Sequence, residues 1–233
     1  MSTLFIRTLR EAPSQAVLAS HQYLTRAGYV QEIGKGSFAL LPFGLRAVEA
    51  LEQALLASIG TPFTRIETPP ALSFEGSAAT RAGLNLTDPQ GRQLVLAAHP
   101  GAALDEIAAQ HLNSYRQLPA AVAVKHSAWE DEVHPGSGML YSRMPRNLSF
   151  YGFFAQTAER DEWRAHVTRQ VDALLTQLGL PLLRSQAPLG GPEPEVREWF
   201  FAHPSGRTPV YTCTTCGYTT SAESARFTRR APW

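Results

Sequence analysis

Cysteine is nearly missing from this sequence: Cys213 and Cys216 are the only two among 233 residues. Two thiols so close together cannot staple a small fold. A disulfide framework is therefore excluded, and a reducing cytoplasm is the default compartment. An excess of either charge is also missing, with 21 Lys and Arg against 20 Asp and Glu and a formal net charge of +1. Bulk electrostatics thus argues neither for nor against a polyanionic partner. No apolar run approaches the roughly 18 residues of a membrane-spanning helix, so no membrane partner is expected. Met1-Ser2-Thr3-Leu4-Phe5-Ile6-Arg7 lacks the long apolar core of a signal peptide. Internal repeats and low-complexity tracts are absent. What remains is 44% hydrophobic and 18% charged, the composition of a globular domain.

The reading that follows treats 1–233 as a single domain, with an N-terminal arm at 1–13, a C-terminal hairpin region at 187–227 and a tail at 228–233. Ser14 is a candidate N-cap for a helix over Gln15–Ala27, with Gly28 as its stop. Phe38–Leu41 is a short strand before Pro42. Leu45, Val48, Leu51, Leu55 and Ile59 recur at helical spacing and predict a helix over Gly44–Ile59. Thr64–Thr68 alternates as a strand into Pro69-Pro70. Residues 72–92 read as a polar connection, Leu94–Ala98 as a buried strand and Ala102–Asn113 as a helix. Ala121–Val124 and Asn147–Phe154 flank a Pro/Gly-rich loop and predict two antiparallel strands of one sheet. Glu159–Leu178 is a second long helix, with a stripe of Trp163, Val167, Val171, Leu174 and Leu178. Leu182–Gln186, Glu198–Ala202 and Pro209–Thr212 are short strands, and Cys213–Tyr218 is a tight turn. Strands grouped between long helices predict an α+β fold, with helices on one face of an antiparallel sheet.

Three stretches carry a resemblance. The first is Ser20-His21-Gln22 with Arg26-Ala27-Gly28, Leu41-Pro42 and Gly44; the second is Asn113 through Pro119; the third is Asp131-Glu132-Val133-His134-Pro135 followed by Ser142-Arg143. Gly190-Gly191 and the hairpin around Cys213-Thr214-Thr215-Cys216-Gly217-Tyr218 follow in order. Together, over about residues 8–227, the chain resembles the catalytic core of bacterial prolyl-tRNA synthetase, a class II aminoacyl-tRNA synthetase. The resemblance implies an antiparallel sheet flanked by helices, and a homodimer built through Gly44–Pro69. On its stripe alone, the Gly44–Ile59 helix is equally an ordinary core-packing helix.

The charged positions of that family have changed. Activating an amino acid needs a cation on the ATP α-phosphate, where negative charge builds as the carboxylate attacks. The resemblance puts the family's arginine at the position of Glu130, and the motif's acidic residue at Glu132. A unit pair about 4 Å apart at an effective dielectric of about 20 is worth roughly 4 kcal/mol. Reversing its sign therefore costs several decades in rate, at about 1.4 kcal/mol per decade. Arg143 keeps a family arginine, Tyr141 replaces another, and Lys125 and His126 are nearby substitutes. The carboxylate that would meet the substrate ammonium is replaced within His99-Pro100-Gly101. The family's Glu-Phe becomes Met144-Pro145, and its His-Glu becomes Arg197-Glu198. The third class II motif, expected after the cysteine hairpin, is not reached by Trp233, so full aminoacylation is not expected. The vestigial ATP and amino-acid pocket is then Glu130, Glu132, Arg143, His99 and Glu198.

Each feature has a plainer reading. Cys213 and Cys216 are half a zinc site or a tight turn with two small half-buried side chains; zinc is not expected. Glu130-Asp131-Glu132 is a Mg²⁺ site or a solvated face pairing with Arg143 and Arg146. His99 is a ligand residue or a structural histidine. The tail Arg226–Arg230, with Phe227 and Trp233, is a nucleic-acid or protein contact or a solvated terminus. No cofactor is expected, with ATP and Mg²⁺ entering only if activity persists.

Three functions remain open. One is a catalytically inactive dimeric binding or regulatory subunit, with a protein, tRNA or DNA as partner. Other class II-like proteins serve in this way, in histidine biosynthesis and beside a DNA polymerase. The second is a residual or redirected ATP-dependent amino-acid-activating enzyme. The third is a nucleic-acid-binding module.

Overall fold

The computed structural model describes residues 7–60, 62–73, 83–130, 138–185, 198–222 and 225. It divides into two compact units, Met1–Val171 and Asp172–Trp233.

The first unit is built on a hairpin. Strands β7 (Ala120–Ser127) and β8 (Arg146–Phe153) pair antiparallel from Ala120 opposite Phe153 to Ser127 opposite Arg146. This is the hairpin that the apolar runs around the Pro/Gly-rich loop predict. Beyond Ser127 the ladder continues: the Ala128 N–H donates to the Pro145 carbonyl (3.1 Å), and the Glu130 N–H to the Arg143 carbonyl (3.0 Å). Strand alternation then sorts the side chains. Val124, His126, Ala128 and Glu130 share one face; Ala123, Lys125 and Ser127 share the other.

Helix α2 (Pro42–Ile59) covers the second of these faces. Pro42 opens the helix at its first turn, where its missing N–H has no partner to lose, rather than merely ending the preceding strand. Glu52 on this helix is only 8% exposed. Its carboxylate takes Lys125 Nζ at 2.8 Å and Arg146 Nε at 2.9 Å. Helix α4 (Thr157–Gln177) joins the same side: His166 Nε2 lies 2.8 Å from the Ile59 carbonyl oxygen. Phe63 packs on Phe150 at 4.9 Å between ring centroids, and Phe154 on Trp163 at 5.5 Å. Gly152 makes that aromatic contact possible. A Cβ there would sit 2.4 Å from Phe154 and 3.2 Å from Trp163. The α4 stripe is half-buried from Trp163 to Leu174, while Leu178 lies past the helix end and is exposed.

Several expectations need correction. Helix α1 spans Ala19–Arg26 and begins after a turn in which the Ala16 N–H donates to the Pro13 carbonyl, so Ser14 does not cap it. Strand β3 (Thr64–Glu67) runs parallel to β7, with Thr64 beside Val122, so the sheet β3-β7-β8 is mixed rather than purely antiparallel. The stretch 72–92 is more than a connection. It supplies β4 (Ala71–Ser73) and β5 (Gly83–Thr87), which flank β6 (Gln93–Ala97) in an antiparallel sheet. Leu84 and Leu86 alternate there, but on an exposed edge where polar composition masks the pattern. A hairpin of β1 (Val30–Gly34) and β2 (Ser37–Leu40) precedes α2, and β1 was not expected. Helix α3 is Gly101–His111.

The second unit begins in the last turns of α4. Asp172 accepts from Trp199 Nε1 at 2.6 Å and pairs with Arg184 at 2.6 Å. It thereby anchors the antiparallel pair β9 (Leu182–Arg184) and β10 (Trp199–Phe201). Strands β11 (Val210–Thr212) and β12 (Thr219–Ser221) form the expected hairpin around the cysteine turn. No helix among the described residues is long and apolar enough to cross a membrane.

Two measurements follow. Burial raises the Glu52 pKa, but hydrogen bonds and charge from Lys125 and Arg146 outweigh it and hold the carboxyl below its ordinary 4.5. The stability it contributes is complete above 4.5 and lost as pH falls through the lowered value. Glu52→Gln is expected to cost about 3 kcal/mol at pH 7 in urea unfolding, and to flatten the loss of stability below pH 4.5. Gly152→Ala is expected to cost about 2 kcal/mol in the same assay, by forcing the Phe154 and Trp163 rings apart.

Candidate functional site

The face of β7 turned away from α2 carries the candidate site. The Trp129 N–H donates to the Ala97 carbonyl (3.2 Å), which brings the exit of β6, and hence His99, beside the Trp129–Glu130 segment. From the other side, Glu130 is bonded through its backbone to Arg143. Three of the expected pocket residues, His99, Glu130 and Arg143, therefore gather around one strand end. Glu132 lies outside the described residues. Glu198 belongs to the second unit, where its carbonyl accepts from the Ser185 N–H at 2.7 Å.

Arg143 is held by a brace that the sequence did not announce. Its N–H donates to the Gly36 carbonyl (2.9 Å), as does the Ser142 hydroxyl (3.3 Å). Gly36 in turn donates its N–H to Glu32 Oε1 at 3.0 Å, so the β1–β2 hairpin fixes the Arg143 segment. Arg143 Nε is buried with no partner among the described residues. Beside the brace opens a cavity of about 520 Å³ lined by Gln15, His21, Glu32, Lys35, Phe38 and Gly138. His21, 6% exposed, packs edge-on against Phe38 at 5.4 Å.

Glu130 is exposed, and its carboxylate stands on the site face. Lys125 points the other way and is occupied by Glu52 at 2.8 Å. Arg146 is tied to the same carboxylate at 2.9 Å, so it pairs with Glu52. His126 is on the correct face but 8% exposed. Burial pushes its pKa down, His99 pushes it further, and a hydrogen bond with the Val124 backbone only partly opposes them, so the neutral form is favoured. His99 itself is exposed, at the junction of β6 and α3. A Cβ on Gly101 would lie 3.1 Å from His99 Nδ1, so the imidazole lies against the Gly101 backbone. Pro145 is engaged by its carbonyl with Ala128, and the Met144 N–H donates to the Ser142 hydroxyl.

Cys213 and Cys216 are both free and both exposed, rather than half-buried. His203 is turned to its own loop, its Nδ1 accepting from the Ser205 N–H at 3.1 Å. Among the described residues no three His, Cys, Asp or Glu side chains gather as a metal-binding set. The basic tail Arg226–Arg230 with Trp233 lies outside the described residues.

Comparison with known proteins gives this geometry a context. Proline–tRNA ligase from Acidobacterium capsulatum is 31% identical over 232 residues, covering 96% of this chain and 40% of the relative. That of Treponema pallidum is 31% identical over the whole chain and 39% of the relative, and that of Helicobacter hepaticus 30% over 99% and 41%. The chain is a class II prolyl-tRNA synthetase-like core. It spans about two fifths of the length of these family members. No family model matches it. Among solved structures, Cryptosporidium parvum prolyl-tRNA synthetase complexed with L-proline and AMP superposes with a TM-score of 0.63 at 12% identity, over 72% of this chain and 36% of that one. An ATP phosphoribosyltransferase regulatory subunit/histidyl-tRNA synthetase from Bacillus halodurans shares the fold at a TM-score of 0.50 and 21% identity, over 66% and 40%. These confirm an α+β, class II synthetase-like fold.

The buried imidazole of His126 gives a test of the site face. Its folded-state pKa lies below the ordinary 6.5, so between 6.5 and that lower value the unfolded chain takes a proton that the folded one refuses. Stability must therefore fall as pH drops below 6.5. An NMR titration of the His126 ring should show a neutral imidazole at pH 6.5, and His126→Gln should remove that part of the pH dependence in urea unfolding.

Proposed function

We propose that this chain is a catalytically silent member of the prolyl-tRNA synthetase family that acts in the cytoplasm as a dimeric binding or regulatory subunit. The observation that carries this reading is Glu130. It stands exposed on the site face where the family resemblance calls for the cation on the ATP α-phosphate. Neither nearby substitute compensates, since Lys125 is sequestered by Glu52 and His126 favours its neutral form. The substrate ammonium loses its counter-charge at Gly101 in the same way. An unpaired buried charge of either sign costs several kcal/mol, so ground-state binding weakens along with the chemistry. Use of this fold as a regulatory subunit has a parallel in the name of the Bacillus halodurans neighbour.

Self-association through Gly44–Pro69 is part of the proposal. Helix α2 buries Glu52 and Ile59 but leaves Leu45 and Leu51 37% and 52% exposed. Apolar side chains left exposed on this helix favour a second copy over water.

One observation favours a second reading, a redirected amino-acid-activating enzyme. Arg143 retains a family arginine, and its buried Nε has no partner among the described residues. ATP and Mg²⁺ would then be its cofactors.

Amino-acid-dependent ATP–pyrophosphate exchange separates the two. The expected result is no exchange above background with any standard amino acid; exchange with one of them would establish the enzyme and name its substrate. Sedimentation equilibrium should give a dimer that the double substitution Leu45→Asp, Leu51→Asp weakens by about a hundredfold or more, as expected when two buried apolar anchors are lost. A monomeric native chain would remove the dimer from the proposal.

A further inference from the structure

The cysteine turn has a geometry that the candidate site does not use. Strands β11 and β12 close on it through the Cys213 N–H to the Tyr218 carbonyl (2.7 Å) and the Gly217 N–H to the Cys213 carbonyl (2.9 Å). Gly217 takes the left-handed conformation, φ 73°, that bends the chain back under the Cys213 side chain. Cys213 and Cys216 thus sit three residues apart on one tight turn closed by backbone hydrogen bonds, and both are free and exposed to solvent. The hydrogen bonds from Cys216 and Thr215 hold the Cys213 thiol below its ordinary 9.0. A thiolate at an exposed position is the attacking species in thiol–disulfide exchange.

We infer that Cys213 and Cys216 form a thiol–disulfide exchange site for low-molecular-weight disulfides of the glutathione type, with Cys213 as the attacking thiol and Cys216 as the resolving one. The Cys213 thiolate attacks one sulfur of glutathione disulfide, forming a mixed disulfide and releasing one glutathione thiolate. Cys216, losing its proton to solvent, then attacks Cys213 Sγ, closes the Cys213–Cys216 bond and releases the second glutathione. The protein dithiol loses two electrons and the small disulfide gains them. A metal reading of the same pair is less well supported, because the described residues offer no third His, Cys, Asp or Glu beside it.

The test uses the full chain, which holds no other cysteine. Competitive alkylation at pH 7 should label Cys213 about tenfold faster than Cys216. Equilibration with glutathione disulfide should leave the tryptic peptide 208–226 two hydrogens lighter and free of glutathione. Cys216→Ser should stop at a glutathione adduct on Cys213. Equal alkylation rates, or a native chain that accumulates a glutathione on each cysteine without closing, would overturn the proposal. So would a purified chain carrying one equivalent of zinc that blocks both thiols until a chelator removes it. The alkylation rates need no variant, so a misfolded substitution cannot obscure the answer.

Discussion

The carboxylate of Glu52 holds this fold in register. Lys125 and Arg146 are diagonal neighbours on one face of the β7–β8 hairpin, and both reach the same buried acid on α2. A strand slip of one residue would turn either cation to the opposite face and leave the carboxylate unpaired. Such an error costs far more than a misplaced methyl group, because the acid is largely withdrawn from water. The ion triad therefore specifies which side of β7 meets the helices. By exclusion it specifies that His126 and Glu130 stand on the other side. The candidate site is thus positioned by a contact made on the reverse of the sheet.

This arrangement explains why the site cannot be read as a simple loss of one residue. The scaffold around Glu130 is intact: the ladder runs on to Arg143, the exit of β6 is bonded alongside, and the β1–β2 hairpin braces the far strand. A rigid frame with a reversed charge is more than a damaged one. Under the proposed reading, it disfavours an anion beside Glu130. His99 lies against Gly101, and burial lowers the pKa of His126 on the same face. Under the proposed reading, a frame of this kind serves recognition without turnover.

Much of this was legible from the residues. The hairpin, the α2 helix, the cysteine turn and the family relationship follow from apolar runs, helical spacing and ordered short motifs. The sign change at Glu130 is what the resemblance implies, and it stays part of the proposal. What escaped did so for identifiable reasons. Lys125 looked like a substitute cation because sequence proximity ignores the strand alternation that turns it toward Glu52. The brace through Gly36 depends on backbone carbonyls, which leave no side-chain signature. Strand β5 is all exposed, so its period of two lacked the burial that usually makes such a pattern visible. The parallel pairing of β3 with β7 is set by a crossover through β4, β5, β6 and α3, which no local signal encodes.

That parallel pairing has a consequence for how the chain assembles. The β7–β8 hairpin closes over 18 intervening residues, whereas β3 must find β7 across more than fifty. Loop-closure entropy makes the first event fast and the second late. The hairpin therefore forms with one edge of β7 uncovered, an apolar run of Ala120–Val124 with open backbone donors and acceptors. Until β3 arrives, that edge is a template for any other extended chain, including another copy caught at the same stage. The interval between the two pairings, rather than the stability of the finished sheet, is where this protein is most exposed to aggregation during its synthesis.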